Sequence, residues 1–232
     1  MIKKTYEYLT GRYHPDLVPY KSSNLKLIHH EVISPLEKLR KELKKYGFEM
    51  FVLSGHRNHL DQLRIWNEKV EGKRPILSAD GLTLDTNKLS DEDIVKSICR
   101  WSAIPGASRH HWGTDIDVIC KKSTPTGYDV KLTADEVCDD GIFGKFHLKL
   151  DELLESGHPF FRPYAKDNGG VLPERWHLSF YPIAQELMSK YSIEVFERNI
   201  EETNLHLKEV LLHELEYFYN TFVLNVSSPK NV

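Results

Sequence analysis

Residues 108–117 read SRHHWGTDID, and this is the most informative segment of the chain because two potential metal ligands lie close together in it. His110 and Asp117 are seven residues apart, with Gly113 between them. A turn at Gly113 would let the chain double back, so that Asp117 enters a strand with its carboxylate near His110. From this segment alone, a metal site and a polar loop held by ordinary hydrogen bonds are equally good interpretations.

Residues 173–180 read PERWHLSF and supply a second pair of candidates, Glu174 and His177. The run WHLSFY at 176–181 predicts a buried strand. A histidine that leads into a buried strand needs a partner, because an unpaired buried polar group is costly. A metal would be such a partner, although this segment alone slightly favours a core histidine satisfied by hydrogen bonds.

The two segments together predict a zinc site. His110, Asp117 and His177 match the two histidines and one carboxylate that hold a catalytic zinc ion, whose fourth position binds water. Zinc lowers the pKa of that water to about 7. Glu174 stands beside His177 and is not needed as a ligand, so we expect it to accept the proton of the water as a general base.

Residues 54–62 read SGHRNHLDQ and follow the apolar run FEMFVL at 48–53, which predicts a buried strand. The end of a strand can deliver residues to a cleft. Arg57 has a fixed fork of donors for an oxyanion or a substrate carboxylate, and Ser54 and Gln62 would hydrogen-bond to a peptide. Taken alone, Arg57 is better interpreted as part of a surface salt bridge.

The composition indicates a soluble globular protein, because 40% of its 232 residues are hydrophobic and 28% are charged. The net charge of -3 argues against nucleic acid as a partner. Cys99, Cys120 and Cys138 show no CxxC spacing, so a cysteine zinc site is not expected, while one disulfide and full reduction both stay open. No apolar run predicts a membrane span, and residues 1–24 show no signal peptide.

The pattern of apolar residues predicts an α+β protein, since short strands and helices mix without regular alternation. The predicted helices cover 25–46, 59–70, 91–101 and 144–156, the strands lie at 48–53, 116–120 and 176–181, residues 1–24 form an irregular lead-in, and the chain is helical from 182. We expect a domain over residues 1–190 and a C-terminal helical extension over 191–232. A helical hairpin packed on the core is the preferred interpretation of the extension, and a dimerisation element is the alternative.

Three ordered motifs carry a resemblance to a known family. SRHHWGTDID resembles the SxHxxGxxxD signature of VanY-type D-alanyl-D-alanine carboxypeptidases, which are zinc peptidases of the LAS type. ERWH at 174–177 resembles the ExWH motif of that family, and SGHRNHLDQ is similar to its SGYRxxxxQ motif, with His56 where Tyr is common. The resemblance extends over roughly residues 6–190.

The resemblance implies a role for each matching residue. His110, Asp117 and His177 would bind one Zn²⁺ per chain. Glu174 would activate the water and then protonate the leaving amine, and Arg57 would stabilise the tetrahedral intermediate. The implied fold is a small central antiparallel sheet flanked by helices, with the C-terminal helices as an addition.

The resemblance also implies a substrate site. Ser108 and Gln62 would help to hold the substrate, in addition to Ser54. Asp115 stands where many members of the family have Ala. We expect it either to contact a substrate ammonium group or to support a metal ligand from behind.

The function implied is removal of the terminal D-alanine from peptidoglycan stem peptides or muropeptides. The alternatives with the same site are an L,D-carboxypeptidase and a peptidoglycan endopeptidase. A zinc-containing binding module without catalysis is disfavoured by the intact Glu174. A non-haem iron oxygenase is a further alternative, because residues 59–61 (HLD) offer an HxD motif. In that case the matches to the ExWH and SxHxxGxxxD motifs would be coincidences. The substrate implies the periplasm or cell envelope, with a leader absent from this chain, and the alternative is the cytoplasm.

Overall fold

The structure is a computed structural model that describes residues 2–229, with side chains described from residue 5. Its strands are β1 (Leu17–Tyr20), β2 (Lys26–His29), β3 (Met50–Ser54), β4 (Asp115–Cys120), β5 (Phe160–Phe161) and β6 (His177–Phe180). Its helices are α1 (Ile2–Leu9), α2 (Ile33–Lys45), α3 (His59–Val70), α4 (Asp91–Cys99), α5 (Ala134–Val137), α6 (Gly144–Glu155), α7 (Tyr181–Lys190), α8 (Ile193–Glu202), α9 (Lys208–His213) and α10 (Leu215–Phe218). This confirms the predicted α+β class.

The central sheet is antiparallel and has the order β3-β4-β6-β5. Every residue of β4 is buried, because this strand lies between two neighbours and under helices. Its register with β6 pairs Asp117 with His177 and Asp115 with Ser179. The register therefore brings the carboxylate of one predicted motif beside the histidine of the other.

A first hydrophobic core lies between this sheet and the helices α2 and α6. Leu36, Leu39 and Leu43 recur at helical spacing along α2, so that one face of the helix is fully buried. Phe146 and Leu150 do the same on α6. This core fixes the sheet from which the predicted ligands project.

A second hydrophobic core joins α1, α3 and α4 to the C-terminal helices. Trp66 of α3 packs in one cluster with Phe196 and Ile200 of α8 and with residues farther along the chain, Leu211 and Phe218. All five side chains are completely buried. The C-terminal segment is therefore packed on the rest of the chain, while the boundary at residue 190 stays a prediction.

The N-terminal region differs from the sequence-based expectation. Helix α1 and strand β1 lie within the lead-in that we predicted to be irregular, and the helix predicted from residue 25 begins only at Ile33. Residues before it pair with β1 as strand β2. Asn24 and Leu25 turn the chain with φ of 51° and 58°. Pairing between two four-residue strands depends on backbone hydrogen bonds, which the hydrophobic pattern does not reveal.

Two further sequence-based expectations concern thiols and membranes. Cys99, Cys120 and Cys138 are all free thiols, so the disulfide left open by the sequence is not formed. Within residues 2–229, none of the helices is both long enough and apolar enough to cross a bilayer.

Candidate active site

The turn that carries His110 brings it back towards β4. His110 lies in a 3₁₀ turn, Arg109–Trp112, which ends at Gly113 with φ of 68°. A Cβ at Gly113 would clash with the Leu17 side chain and the His29 backbone, so glycine is required for two independent reasons. The chain then enters β4, as the spacing of the motif predicts.

The three predicted ligands lie together and are buried. One ligand atom from each of His110, Asp117 and His177 lies within 4.8 Å of the others. His110 Nε2 is 3.5 Å from Asp117 Oδ2, and His177 Nδ1 is 3.5 Å from Asp117 Oδ1. The geometry therefore brings two ring nitrogens and one carboxylate to a common point.

Hydrogen bonds behind the histidines fix which nitrogen faces the cluster. His110 Nδ1 donates to the carbonyl oxygen of Gly55 at 2.9 Å, which leaves Nε2 towards Asp117. His177 Nε2 donates to Asp115 Oδ1 at 3.0 Å, which leaves Nδ1 towards Asp117. Carboxylates and carbonyls in this position orient metal-binding imidazoles and increase their basicity.

The donor set fits a bound cation. Asp117 Oδ1 and His177 Nδ1 are buried and have no hydrogen-bond partner among the residues that the structure describes. Leaving such atoms unpaired costs free energy, and a cation between them would satisfy both. Two histidines and one carboxylate are a ligand set of catalytic zinc sites.

The charges around His177 also favour a cation. Burial alone would lower the pKa of His177, but the hydrogen bond to Asp115 and the nearby carboxylates of Glu174 and Asp117 raise this pKa to about 10. Burial opposes ionisation of Asp117, yet His110 holds the pKa of this carboxyl below its ordinary value. The site therefore concentrates negative charge, which stabilises a divalent ion.

Asp115 lies behind His177 and does not line the cleft, so the structure does not place it where a substrate ammonium group would contact it. It is completely buried, and its Oδ1 also accepts a hydrogen bond from Arg109 Nε at 2.7 Å. Oδ2 accepts from the Thr114 hydroxyl at 2.8 Å. Arg109 donates further to the Ser179 hydroxyl at 2.6 Å. These contacts suit the support of a ligand.

Glu174 lies directly beside the ligand cluster. Its Oε2 is 3.2 Å from His177 Nδ1, and its side chain is 14% exposed. Backbone hydrogen bonds from His177 to the Glu174 carbonyl and from Glu174 to the Tyr164 carbonyl, both at 3.0 Å, fix the turn before β6. The carboxylate is thus both close to the cluster and open to the cleft.

A cleft of about 510 Å³ opens onto the cluster. The three clustered ligands line it, and so do Glu174, Arg57 and Ser108. Of the other predicted substrate contacts, Ser54 and Gln62 are not among its lining residues. Ser54 instead lies opposite Asp117 in the register of β3 with β4.

Gln62 holds Arg57 from behind the cleft. Its Oε1 accepts a hydrogen bond from Arg57 Nη1 at 2.9 Å, and its Nε2 donates to the Ala103 carbonyl at 2.7 Å. The Gln62 side chain is completely buried. Helix α3 starts directly after Arg57, since the Asn58 side chain caps it by accepting from the Asp61 N–H. Gln62 therefore orients Arg57 and does not reach a peptide in the cleft.

The sequence did not reveal several residues of the cleft. Tyr164 is buried with its ring centroid 5.1 Å from that of His177. Burial raises the pKa of its phenol, and Arg109 lowers that pKa while Glu174 and other carboxylates raise it. Tyr164 lies in an irregular segment with no local motif. Lys69 and Trp101 also line the cleft, although both belong to regions interpreted only as helix.

Comparisons with known proteins match most of this chain to a family model. The family model of VanY, D-alanyl-D-alanine carboxypeptidase, matches residues 25–183. An uncharacterized protein of Haemophilus influenzae is 29% identical over 126 residues, which are 52% of this chain and 93% of that protein.

Several solved structures share the fold. A mutant of the vancomycin resistance D,D-pentapeptidase VanY, from a VanB-type resistance cassette and in complex with Zn(II), superposes with a TM-score of 0.51 at 23% identity, covering 86% of this chain and 91% of that one. VanYB in complex with D-alanine-D-alanine superposes with a TM-score of 0.52 at 20% identity, covering 86% of this chain and 90% of that one. The LD-carboxypeptidase LdcB superposes with a TM-score of 0.51 at 20% identity, covering 87% of this chain and 79% of that one.

Proposed function

This chain belongs to the VanY family of D-alanyl-D-alanine carboxypeptidases, and we propose that it is a zinc-dependent D,D-carboxypeptidase that removes the terminal D-alanine from peptidoglycan stem peptides. The observation that supports the proposal is the buried cluster of His110, Asp117 and His177, with Glu174 beside it at an open cleft. In this cluster Asp117 Oδ1 and His177 Nδ1 have no hydrogen-bond partner among the residues that the structure describes.

The cluster would hold the zinc ion through His110 Nε2, Asp117 and His177 Nδ1. When bound there, zinc supplies a Lewis acid that activates water and polarises a carbonyl. Asp115 and the Gly55 carbonyl keep the two imidazoles in the tautomers that such binding requires.

Glu174 moves the proton in this proposal. Its carboxylate accepts a proton from the attacking water and delivers it to the nitrogen of the leaving D-alanine. Arg57 lines the same cleft with its guanidinium held by Gln62. In this proposal its remaining donors stabilise the oxygen on which negative charge develops. The hydrogen bond to Gln62 keeps this group in position before the substrate binds.

An L,D-carboxypeptidase is the second candidate. LdcB, which is described as an LD-carboxypeptidase, covers this chain about as well as VanYB, whose structure contains D-alanine-D-alanine. Both are only 20% identical to this chain, so the likeness concerns the fold and does not select the substrate. Peptidoglycan lies outside the inner membrane, so we place the proposed enzyme in the periplasm or cell envelope.

Digestion of purified muropeptides by the zinc-loaded protein, followed by mass spectrometry, tests the proposal. We expect one alanine to be lost from pentapeptides, and Glu174→Ala to abolish this product. Glu186→Ala is the matched control, because Glu186 is an exposed glutamate that pairs with Lys190 on α7. If an alanine is lost from tetrapeptides, or a crosslink is cut, the proposed D,D-specificity is wrong and the proposed mechanism is retained. No product from any muropeptide would contradict the proposed function.

A further inference from the structure

Lys69 is a cation in the cleft without an acidic partner. Its Nζ donates to the Ser102 hydroxyl at 2.7 Å, and both residues line the cleft that contains the ligand cluster. No carboxylate within residues 2–229 lies close enough to form a salt bridge with it. No Asp or Glu among these residues contributes to the shift of its pKa. Several other lysines of the chain are paired with a carboxylate, for example Lys73 with Glu71, Lys88 with Asp85, and Lys96 with Glu92.

The environment of Lys69 is unfavourable for an unpaired charge. The pKa of Lys69 is lowered to about 8, mainly by burial and to a smaller extent by the positive charge of Arg74. The amine is still mostly protonated at neutral pH. An ammonium group removed from water is stabilised by an anion that pairs with it and hydrogen-bonds to it. Asp80 and Asp135 also line the cleft, but both are exposed and neither forms a salt bridge with Lys69.

Lys69 and Gln62, the residue that holds Arg57, lie on one face of helix α3. Gln62, which holds Arg57, and Lys69 are seven residues apart, so they lie about 10 Å apart along the helix axis. Gln62 bonds to the Ala103 carbonyl and Lys69 to the Ser102 hydroxyl, so both are anchored to adjacent residues. Both side chains therefore reach the same two adjacent residues, Ser102 and Ala103, which line the cleft.

We propose that Lys69 is a substrate-binding residue whose ammonium group binds a carboxylate of the peptide substrate. This inference rests on the proposed function, since it assigns a specificity contact within the same cleft. The carboxylate is either the C-terminal carboxylate of the leaving residue or a side-chain carboxylate of the stem peptide, and the chemistry of recognition is the same for both.

The test uses full-length zinc-loaded protein and a set of synthetic pentapeptides that end in D-alanyl-D-alanine. One peptide has all its carboxylates free, a second has a C-terminal amide, and a third has its side-chain carboxylate converted to an amide. The variants are Lys69→Met, which keeps the length and removes the charge, and Lys69→Arg, which keeps the charge. Lys73→Met is the control, because Lys73 is exposed and lies outside the cleft.

We expect Lys69→Met to raise KM for the free peptide by about 10- to 100-fold, the range for losing a hydrogen bond to a charged group. We expect kcat to change little, and Lys69→Arg to recover most of the loss. On the peptide that lacks the recognised carboxylate, wild type and Lys69→Met should have the same KM, and this identifies the carboxylate. An equal loss on all three peptides, or no loss on any, would overturn the assignment.

Binding to Glu174→Ala separates the two proposals. In this background the peptides should bind without turnover, and adding Lys69→Met should weaken binding only of peptides that retain the recognised carboxylate. If wild type releases no D-alanine but this charge-selective binding is observed, the proposed function fails and the Lys69 assignment stands. If turnover occurs without charge selectivity, the Lys69 assignment fails alone. No binding of any peptide and no turnover would contradict both.

Discussion

The two hydrophobic cores of this molecule support different parts of one active site. The sheet half, which we define as β3–β6 with α2 and α6, carries Asp117 and His177 on paired strands. The helical half, which we define as α1, α3, α4 and the helices from α7 onward, supports the helix that follows Arg57 and carries Lys69. We therefore expect that separate substitutions can disturb metal binding and substrate contact.

The helical half reaches Arg57 through a chain of buried contacts. Asn199 of α8 donates to the Pro105 carbonyl at 2.7 Å, beside Gly106. The Gly106 N–H donates to His111 Nε2 at 3.0 Å, and His111 Nδ1 donates to the Arg57 carbonyl at 2.6 Å. Helix α8 therefore contributes to the position of a residue in the cleft without lining it.

The largest expected effect comes from the sheet half. Asp117→Ala removes the carboxylate that lies between the two histidines, so we expect loss of bound zinc and of all measurable D-alanine release. Metal analysis of the purified variant checks this, with Asp129→Ala as control for an exposed aspartate. One tightly held zinc ion in Asp117→Ala would contradict the assigned ligand set.

A smaller effect is expected from Arg57. Arg57→Ala removes a donor aimed at developing charge, so kcat should fall by about 10²- to 10³-fold. Zinc content should remain at one ion per chain, because no predicted ligand depends on the guanidinium. Parallel kinetics and metal analysis measure both quantities. Loss of zinc from this variant would show that the two halves are not separable.

A still smaller effect on catalysis is expected from Asn199. Asn199→Ala leaves the Pro105 carbonyl and Arg12 Nη1 without their present partner, so the free energy of unfolding should fall by about 1–3 kcal/mol. A displaced Arg57 should lower kcat by at most about 10²-fold. Denaturant unfolding and kinetics on the same sample test this. Unchanged kcat in a destabilised variant would limit Asn199 to a structural role.

The smallest effect on catalysis at neutral pH is expected from His59, which instead gives the helical half a pH dependence of stability. Burial, followed by the charge of Arg12, lowers the pKa of His59 to about 4. The unfolded chain takes up this proton below about pH 6.5, so the stabilisation is complete above that pH and is lost as the pH falls towards 4. The slope is up to about 1.4 kcal/mol per pH unit.

Unfolding curves between pH 7 and 4 would measure this slope, which His59→Gln should reduce. His213→Gln is the control because His213 is exposed. Equal slopes in wild type and His59→Gln would contradict the assignment.

Local signals explain which parts of the site the sequence predicts. His110 and Asp117 flank a glycine that only a turn explains, and His177 begins a strand with a clear apolar pattern. Each segment alone left a metal site open, and only the two segments together predicted the ligand cluster. The three motifs also occur in the same order as in the family that the chain resembles, and the match over residues 25–183 confirms this resemblance.

Tertiary packing explains what the sequence does not predict. Gln62 was expected to touch a peptide, but the face of α3 on which it lies is turned into the protein, towards Ala103. Tyr164 and Lys69 reach the cleft only because separate segments fold over it. The β1–β2 hairpin was missed for a different reason, since the hydrophobic pattern does not reveal backbone pairing between two short strands.

Zinc titration of the metal-free protein, with D-alanine release from a D-alanyl-D-alanine pentapeptide as readout, is the decisive test of the proposed zinc site. We expect activity to rise in proportion to added zinc and to level off at one ion per chain. Activity that does not depend on zinc, or that returns with iron and not with zinc, would contradict the assignment of this site.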